Sequence, residues 1–195
     1  MTPLPESGDR PSAAPHVLVV FASKHGSTRE IAEVIGEVLK EADLLVDVLP
    51  ARQVVAVDRY DAVVIGSAVY VGRWMVDARK FVERRILELA RRPVWLFSSG
   101  PVDDSASTGD VPPVRSVAAV AQRLLARGHV TFGGRVGAEM SGPTERWVIR
   151  GDWRDFDAVR RWAAGIGEEI SRICPSPIST RPIPDVRDGL WYEGR

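Results

Sequence analysis

Three short polar stretches of this 195-residue chain carry the side chains and glycines that could bind a ligand. The first, residues 23–28, stands between an apolar run and a helical pattern. A turn at the start of a helix presents unpaired backbone N–H groups, and the helix dipole adds positive potential there. An ordinary capping turn, with Ser27 and Glu30 in a capping box, is the alternative interpretation. We predict an anion site, most plausibly for phosphate, formed by Ser23, Lys24, His25, Gly26, Ser27 and Thr28.

Two further stretches follow later apolar runs and could hold the planar part of a ligand. Residues 67–75 combine small residues with Tyr70 and Trp74, and aromatic faces beside backbone amides suit a planar heteroaromatic ring. Tyr70 is favoured as a ligand contact, whereas Trp74 fits packing against the next helix equally well. Residues 98–112 form a long loop, which is typical of functional or mobile segments. The predicted contacts here are Ser67, Ala68, Val69, Tyr70, Val71, Gly72, Ser98, Ser99 and Gly100.

The elements that must position these loops alternate between short apolar runs and amphipathic patterns. Strands are predicted at 17–22, 44–49, 62–67, 93–98 and 129–136. Helices are predicted at about 27–42, 76–90 and 114–127 and from Trp153 to Ile170, the last capped by Asp152, while 51–59 is ambiguous. This alternation predicts an α/β fold, a doubly wound parallel sheet with helices on both faces. Such sheets bind ligands at the carboxyl ends of their strands, where the three stretches lie.

Composition and charge narrow the class of protein. Lys and Arg together number 26, as do Asp and Glu, so no net field indicates nucleic acid as a partner. No apolar stretch approaches the roughly 20 residues that span a bilayer, and no signal sequence is evident. We expect a cytoplasmic protein, with peripheral membrane contact left open. The expected organisation is a disordered leader at 1–15, one domain at 16–173 and a proline-rich tail at 174–195.

Several related site types are excluded by their motifs. The chain lacks Gly-x-Gly-x-x-Gly after its first strand, which argues against a dinucleotide-binding Rossmann site. It also lacks Gly-x-x-x-x-Gly-Lys-Ser/Thr, which excludes a P-loop nucleoside triphosphatase. A receiver domain needs acidic residues where Ser23, Lys24 and Ser67 stand. The three histidines show no metal-ligand spacing, so no metal site is expected. The arginines near the last helix are interpreted as a solvated face: Arg150, Arg154, Arg160 and Arg161.

Two stretches of the chain resemble the flavodoxin family. The phosphate loop of that family has the form Ser/Thr-x-Thr-Gly-x-Thr, which Ser23, Gly26 and Thr28 match, with His25 at the third position. The stretch from Asp61 to Tyr70 is similar as well. The resemblance covers roughly residues 16–173. It implies a flavodoxin-like five-stranded sheet of order 2-1-3-4-5, bound FMN on the residues predicted above, and redox chemistry.

Within that family, the chain looks most like the menaquinone-dependent protoporphyrinogen oxidase branch. Residues 23–32, 66–73 and the pair Asp152-Trp153 carry this likeness. That branch has a long basic, aromatic insertion near its fifth strand, whereas residues 137–151 are short and contain one tryptophan. The resemblance implies an FMN-dependent oxidoreductase with a quinone acceptor and a porphyrinogen as the substrate that it oxidises. A flavodoxin-type electron carrier with a redox partner protein, or a flavin-free interaction module, are the alternatives. No side chain is an obvious acid or base, so no catalytic residue is assigned.

Overall fold

The computed structural model describes residues 14–100, 111–136 and 151–174. Nearly all of the predicted leader and the predicted proline-rich tail therefore lie outside the described residues, as do residues 101–110 of the third loop and most of 137–151. The first described strand begins at His16 and the last described helix ends at Ile173, at the predicted domain limits.

A parallel sheet forms the centre of the described structure. Its strands run in the order β2-β1-β3-β5-β6, with a short β4 paired antiparallel to the end of β3. The short β4 was not among the five predicted strands, so β5 and β6 are the predicted fourth and fifth strands. The predicted order 2-1-3-4-5 is therefore confirmed. The strands are β1 (His16–Ala22), β2 (Leu45–Pro50), β3 (Ala62–Tyr70), β4 (Arg73–Trp74), β5 (Val94–Ser99) and β6 (Gly128–Phe132).

Helices cover both faces of the sheet because its strands are apolar on both sides. Along β1, Val17, Val19 and Phe21 pack into one core cluster. The alternate residues Leu18 and Val20 pack into the other. This is the pattern of a strand buried on both faces. The first cluster includes residues of α1 (Ser27–Glu41) and α4 (Phe156–Ile173), and the second includes α2 (Val76–Leu89) and α3 (Arg115–Leu124).

Two boundaries differ from the sequence predictions. The fifth strand was predicted to reach residue 136, but β6 ends at Phe132. The chain then makes a small hairpin of β7 (Arg135–Val136) and β8 (Gly151–Asp152). Gly133 permits this break because a Cβ there would stand 1.9 Å from the Trp153 carbonyl oxygen. Helix α3 ends at Leu124, and Leu125 follows it in the left-handed conformation, whereas the helix was predicted to end near Gly128.

The predicted cap of the last helix was wrong. Asp155, not Asp152, caps α4, since its side chain accepts a hydrogen bond of 2.9 Å from Ala158 N. Trp153 precedes the helix and donates its backbone N–H to Gly134 instead. The ambiguous stretch after β2 forms only a 3-10 turn at Ala51–Gln53. None of the helices in the described parts of the chain is both long and apolar enough to cross a membrane.

Candidate functional site

The three predicted loops begin at the same level of the sheet. Ala22, Ser67 and Ser98 are register partners across β1, β3 and β5. The chain passes from β1 to β2 on one side and then to β3 on the other, which makes β1 and β3 the switch point of the doubly wound sheet. Residues 23–28, the β3–β4 hairpin and the end of β5 therefore meet at the edge where such folds bind ligands.

The phosphate loop, defined here as residues 23–28, enters α1 through a glycine. Gly26 precedes the helix with φ of 85°, and no side chain among the described residues caps this end. The first intrahelical hydrogen bond runs from Glu30 N to Gly26 O at 3.0 Å. The N–H groups of the preceding three residues have no acceptor within the helix, as at any helix start. The alternative interpretation, a capping box of Ser27 and Glu30, is therefore wrong.

Two hydroxyls of the phosphate loop are buried without a partner. Ser27 is 8% exposed and Thr28 is 1% exposed. Neither Ser27 Oγ nor Thr28 Oγ1 has a hydrogen-bond partner among the described residues. A buried hydroxyl without a partner costs about 1–3 kcal/mol, so native proteins rarely keep one. Two of them beside free backbone donors fit an oxyanion that would satisfy them, which agrees with the predicted phosphate site.

An ion-pair cluster that the sequence did not reveal lies beside this loop. Arg154 donates to Glu30 Oε2 at 2.6 Å and to both carboxylate oxygens of Asp152, at 2.7 and 2.6 Å. Arg135 lies 3.2 Å from Glu30 Oε1. The Arg154 side chain is only 4% exposed, so its interpretation as part of a solvated face was wrong. These contacts with Arg154 hold the pKa of Asp152 below its usual range.

The second predicted loop is a β-hairpin rather than an irregular turn. β3 continues to Tyr70, which pairs with Arg73 of β4. Val71 and Gly72 form the tip, both with positive φ, of 48° and 68°. Two successive positive φ angles are characteristic of a two-residue hairpin turn. Val71 is fully exposed and Tyr70 is partly exposed at this tip.

The polar side chains under the hairpin are satisfied within the protein. Ser67 Oγ donates to Ala68 O at 2.9 Å and accepts from Met75 N at 3.0 Å, which ties the strand to the start of α2. Ser98 Oγ accepts from Trp74 Nε1 at 2.9 Å and lies 3.0 Å from His129 Nε2. Trp74 thus packs and bonds within the core, which agrees with its interpretation as a packing residue rather than a ligand contact. Burial lowers the pKa of His129 to about 4, so its ring is neutral at pH 7.

A cavity of about 200 Å³ lies between the hairpin and the ends of β5 and β6. Its walls include Val69, Val71, Gly72, Ser98, Gly100 and Val114. A larger groove of about 650 Å³ runs between α1 and α4, but it lies at the opposite end of α1 from the phosphate loop. The cavity beside the hairpin therefore lies where the planar part of a ligand was predicted to bind.

The structure brings the predicted contact residues to the carboxyl edge of the sheet, where they differ in burial. Lys24 is exposed, while Ser23, His25 and Gly26 are half-buried. Ser98 and Ser99 are buried at the end of β5, and Gly100 N donates to Phe132 O at 3.2 Å. Ala68 and Val69 continue β3 toward the hairpin tip. A direct role of these residues in binding stays a prediction.

A doubly wound parallel sheet with two buried hydroxyls at the start of α1 and an apolar cavity at the ends of β3 and β5 is typical of nucleotide- and flavin-binding α/β proteins. The chain belongs to the flavodoxin family, since the family described as Flavodoxin domain matches residues 18–151. It is therefore a flavodoxin-like oxidoreductase, and membership implies FMN as its cofactor. The buried hydroxyls of Ser27 and Thr28 fit the phosphate of that cofactor.

Solved structures and a curated relative agree with this assignment. A flavodoxin from the domain Archaea superposes with a TM-score of 0.56 at 17% identity, over 80% of this chain and 99% of that one. Flavodoxin 1 from Bacillus cereus gives 0.55 at 17% identity, over 78% and 97%. Protoporphyrinogen IX dehydrogenase [quinone] from Escherichia coli strain K12 is 30% identical over 83 residues. That match covers 42% of this chain and 46% of the relative, so the chain matches about half of the relative's length.

Proposed function

We propose that this protein is an FMN-dependent oxidoreductase that oxidises a porphyrinogen and reduces a quinone. The 83-residue match to protoporphyrinogen IX dehydrogenase [quinone] carries this proposal. Each pair of hydrogens removed from the porphyrinogen would reduce one quinone to a quinol, so three quinones would balance one full oxidation to the porphyrin. The expected cytoplasmic location remains part of this proposal, and cell fractionation would test it.

The apolar lining of the cavity that would hold the flavin ring also favours an apolar substrate or acceptor beside that ring. Four valines, Val69, Val71, Val111 and Val114, line the cavity. Val71 is fully exposed at the hairpin tip, where it would contact a molecule approaching the cavity. Apolar walls with a few polar groups are typical of sites for planar organic ligands. A quinone ring belongs to that class, whereas a porphyrinogen, whose methylene bridges make it puckered and larger, would contact the exposed rim at the hairpin tip.

The chain's own residues would bind and orient, while the flavin supplies the electron chemistry. Ser27 and Thr28 would donate their hydroxyls to the phosphate, together with the free N–H groups at the start of α1. The hairpin and the end of β5 would form the two walls around the ring system. Ser98 is held in place by Trp74 and His129, so this wall is already organised without ligand.

An electron carrier serving a protein partner is the second function to test, because the flavodoxin structures share this fold. Carriers that dock by charge benefit from a strong net charge, which steers them to an oppositely charged partner. The balance of 26 basic and 26 acidic residues offers no such field. This observation favours the small-molecule oxidoreductase.

A two-step experiment separates these functions. FMN is first added to the purified protein, and binding is followed by quenching of flavin fluorescence. The loaded protein then receives a porphyrinogen and a soluble quinone, and formation of the fluorescent porphyrin is recorded. We expect porphyrin to form only when both FMN and quinone are present, against a matched reaction without protein. Porphyrin formation at the rate of that blank, together with rapid reduction by a reductase protein, would support the carrier. No flavin binding would contradict both functions and support an interaction module.

A further inference from the structure

A carboxylate stands next to the proposed phosphate site, where a negative charge opposes phosphate binding. Glu30 is the fourth residue of α1. Its Oε1 lies 3.7 Å from the position that a Cβ on Gly26 would occupy. A carboxylate and a phosphate dianion compete for the same positive potential at a helix start. An uncompensated Glu30 would therefore weaken binding of the phosphate to the loop.

Two guanidinium groups from a distant part of the chain hold this carboxylate. Arg154 Nη1 lies 2.6 Å from Glu30 Oε2, and Arg135 Nη2 lies 3.2 Å from Glu30 Oε1. Arg154 is itself fixed by its two bonds to Asp152 and by its position 4.9 Å over the Phe156 ring. Its side chain is 4% exposed, so this charge is poorly screened by solvent. Among these four charged residues the charges sum to zero.

We infer that Arg154 is a positioning residue for the flavin phosphate: by pairing with Glu30, it keeps the phosphate loop electrostatically open to a dianion. Arg154 thereby makes the site selective for phosphorylated flavin over riboflavin. The inference rests on the proposed binding of FMN at residues 23–28. It also gives the β7–β8 hairpin a part in the site, because Arg135 and Asp152 belong to that hairpin and are register partners in it.

The competing explanation is purely structural: the pair of Arg154 and Glu30 only holds the β7–β8 hairpin against α1. Removal of Arg154 would then disturb the loop by loss of contacts, and removal of Glu30 as well would not repair it. The electrostatic explanation predicts the reverse, because removing both charges leaves the net charge beside the phosphate unchanged. The two explanations therefore differ in the double variant.

The first experiment compares FMN and riboflavin affinities by fluorescence quenching in Arg154→Met. Methionine keeps an apolar stem over Phe156 but leaves Glu30 and Asp152 with one positive charge fewer. At separations of several ångströms in a partly solvated site, we expect FMN affinity to fall about tenfold. Riboflavin affinity should stay within about twofold, since riboflavin carries no phosphate. Arg161→Met is the matched control, because Arg161 is exposed on α4 and its nearest carboxylate oxygen, on Asp155, is 3.9 Å away.

The second experiment combines Glu30→Gln with Arg154→Met. We expect FMN affinity to return to within about threefold of the parent, and Glu30→Gln alone to bind FMN more tightly than the parent. If Arg154→Met does not fold, Glu30→Gln alone still decides: an unchanged ratio of FMN to riboflavin affinity would overturn the inference. A double variant as weak as Arg154→Met would also overturn it. A parent protein that binds neither flavin would instead contradict the proposed function.

Discussion

The phosphate loop and the β3–β4 hairpin lie at the same edge of the sheet but treat their buried polar groups in opposite ways. In the loop, Ser27 and Thr28 have buried hydroxyls without partners among the described residues. Under the hairpin, Ser67 and Ser98 are engaged by Met75 N and by Trp74 and His129. Unsatisfied buried groups reduce stability, whereas satisfied networks rigidify a core. The loop therefore has the features expected of a ligand site, whereas the polar groups under the hairpin stabilise the fold.

Replacing Ser98 should have the largest effect on stability. Ser98→Ala would leave Trp74 Nε1 and His129 Nε2 without their shared partner in a buried region. We expect the free energy of unfolding of the flavin-free protein to fall by about 2–4 kcal/mol, measured by urea denaturation. Ser116→Ala, which removes an exposed hydrogen bond to Gly72 O, should cost less than about 0.5 kcal/mol. An equal loss of unfolding free energy in the two variants would contradict the view that the polar groups under the hairpin stabilise the fold.

His129 should make stability depend on pH. Its pKa is about 4 in the folded protein and 6.5 when unperturbed, so the unfolded state binds more protons between these values. Stability is therefore fully present above pH 6.5 and is lost as pH falls toward 4. Because the ring is only partly buried, we expect about 1–2 kcal/mol of loss, less than the full shift implies. His129→Gln should flatten this part of the curve of unfolding free energy against pH, and a parallel curve would refute the assignment.

Replacing Thr28 should separate binding from stability. Thr28→Val keeps the shape of the side chain and removes a buried hydroxyl that has no partner among the described residues. We expect the flavin-free protein to gain about 1 kcal/mol of unfolding free energy and FMN affinity to fall about tenfold. Denaturation and fluorescence titration would measure the two effects. A stability loss without any change in affinity would mean that Thr28 serves the fold, like Ser98.

The hairpin tip should yield the smallest effect. Val71 has φ of 48°, which is strained for a β-branched residue, and its side chain is fully exposed. Val71→Gly should therefore raise the free energy of unfolding by about 0.5–1 kcal/mol. Val55→Gly is the matched control, since Val55 is also exposed but has no positive φ, and it should be neutral or destabilising. If Val71→Gly also slows porphyrinogen oxidation, the tip contacts the substrate.

The sheet and the phosphate loop were the predictable parts, because their signals are local. Each buried strand is a short run of apolar residues, and residues 23–28 follow the first run directly. The Trp74–Ser98–His129 contacts join residues 24 and 31 positions apart, and the Arg154–Glu30 pair spans 124 positions. No short-range pattern marks such pairs. The extension of β3 to Tyr70 was missed because the hairpin tip carries Val71 where glycine or asparagine is usual.

By itself, the sequence determined the order of the elements, their burial on both faces and the position of the phosphate loop after β1. These follow from apolar periodicity and from the chemistry of a turn before a helix, which neighbouring residues decide. Only the tertiary structure decided which polar groups are satisfied. Ser27 and Thr28 have no partner in the described chain, while Ser98 and Glu30 find theirs on distant elements. Burial and pairing depend on which segments the fold brings together, and the distinction between a site for a ligand and a bond within the core depends on them.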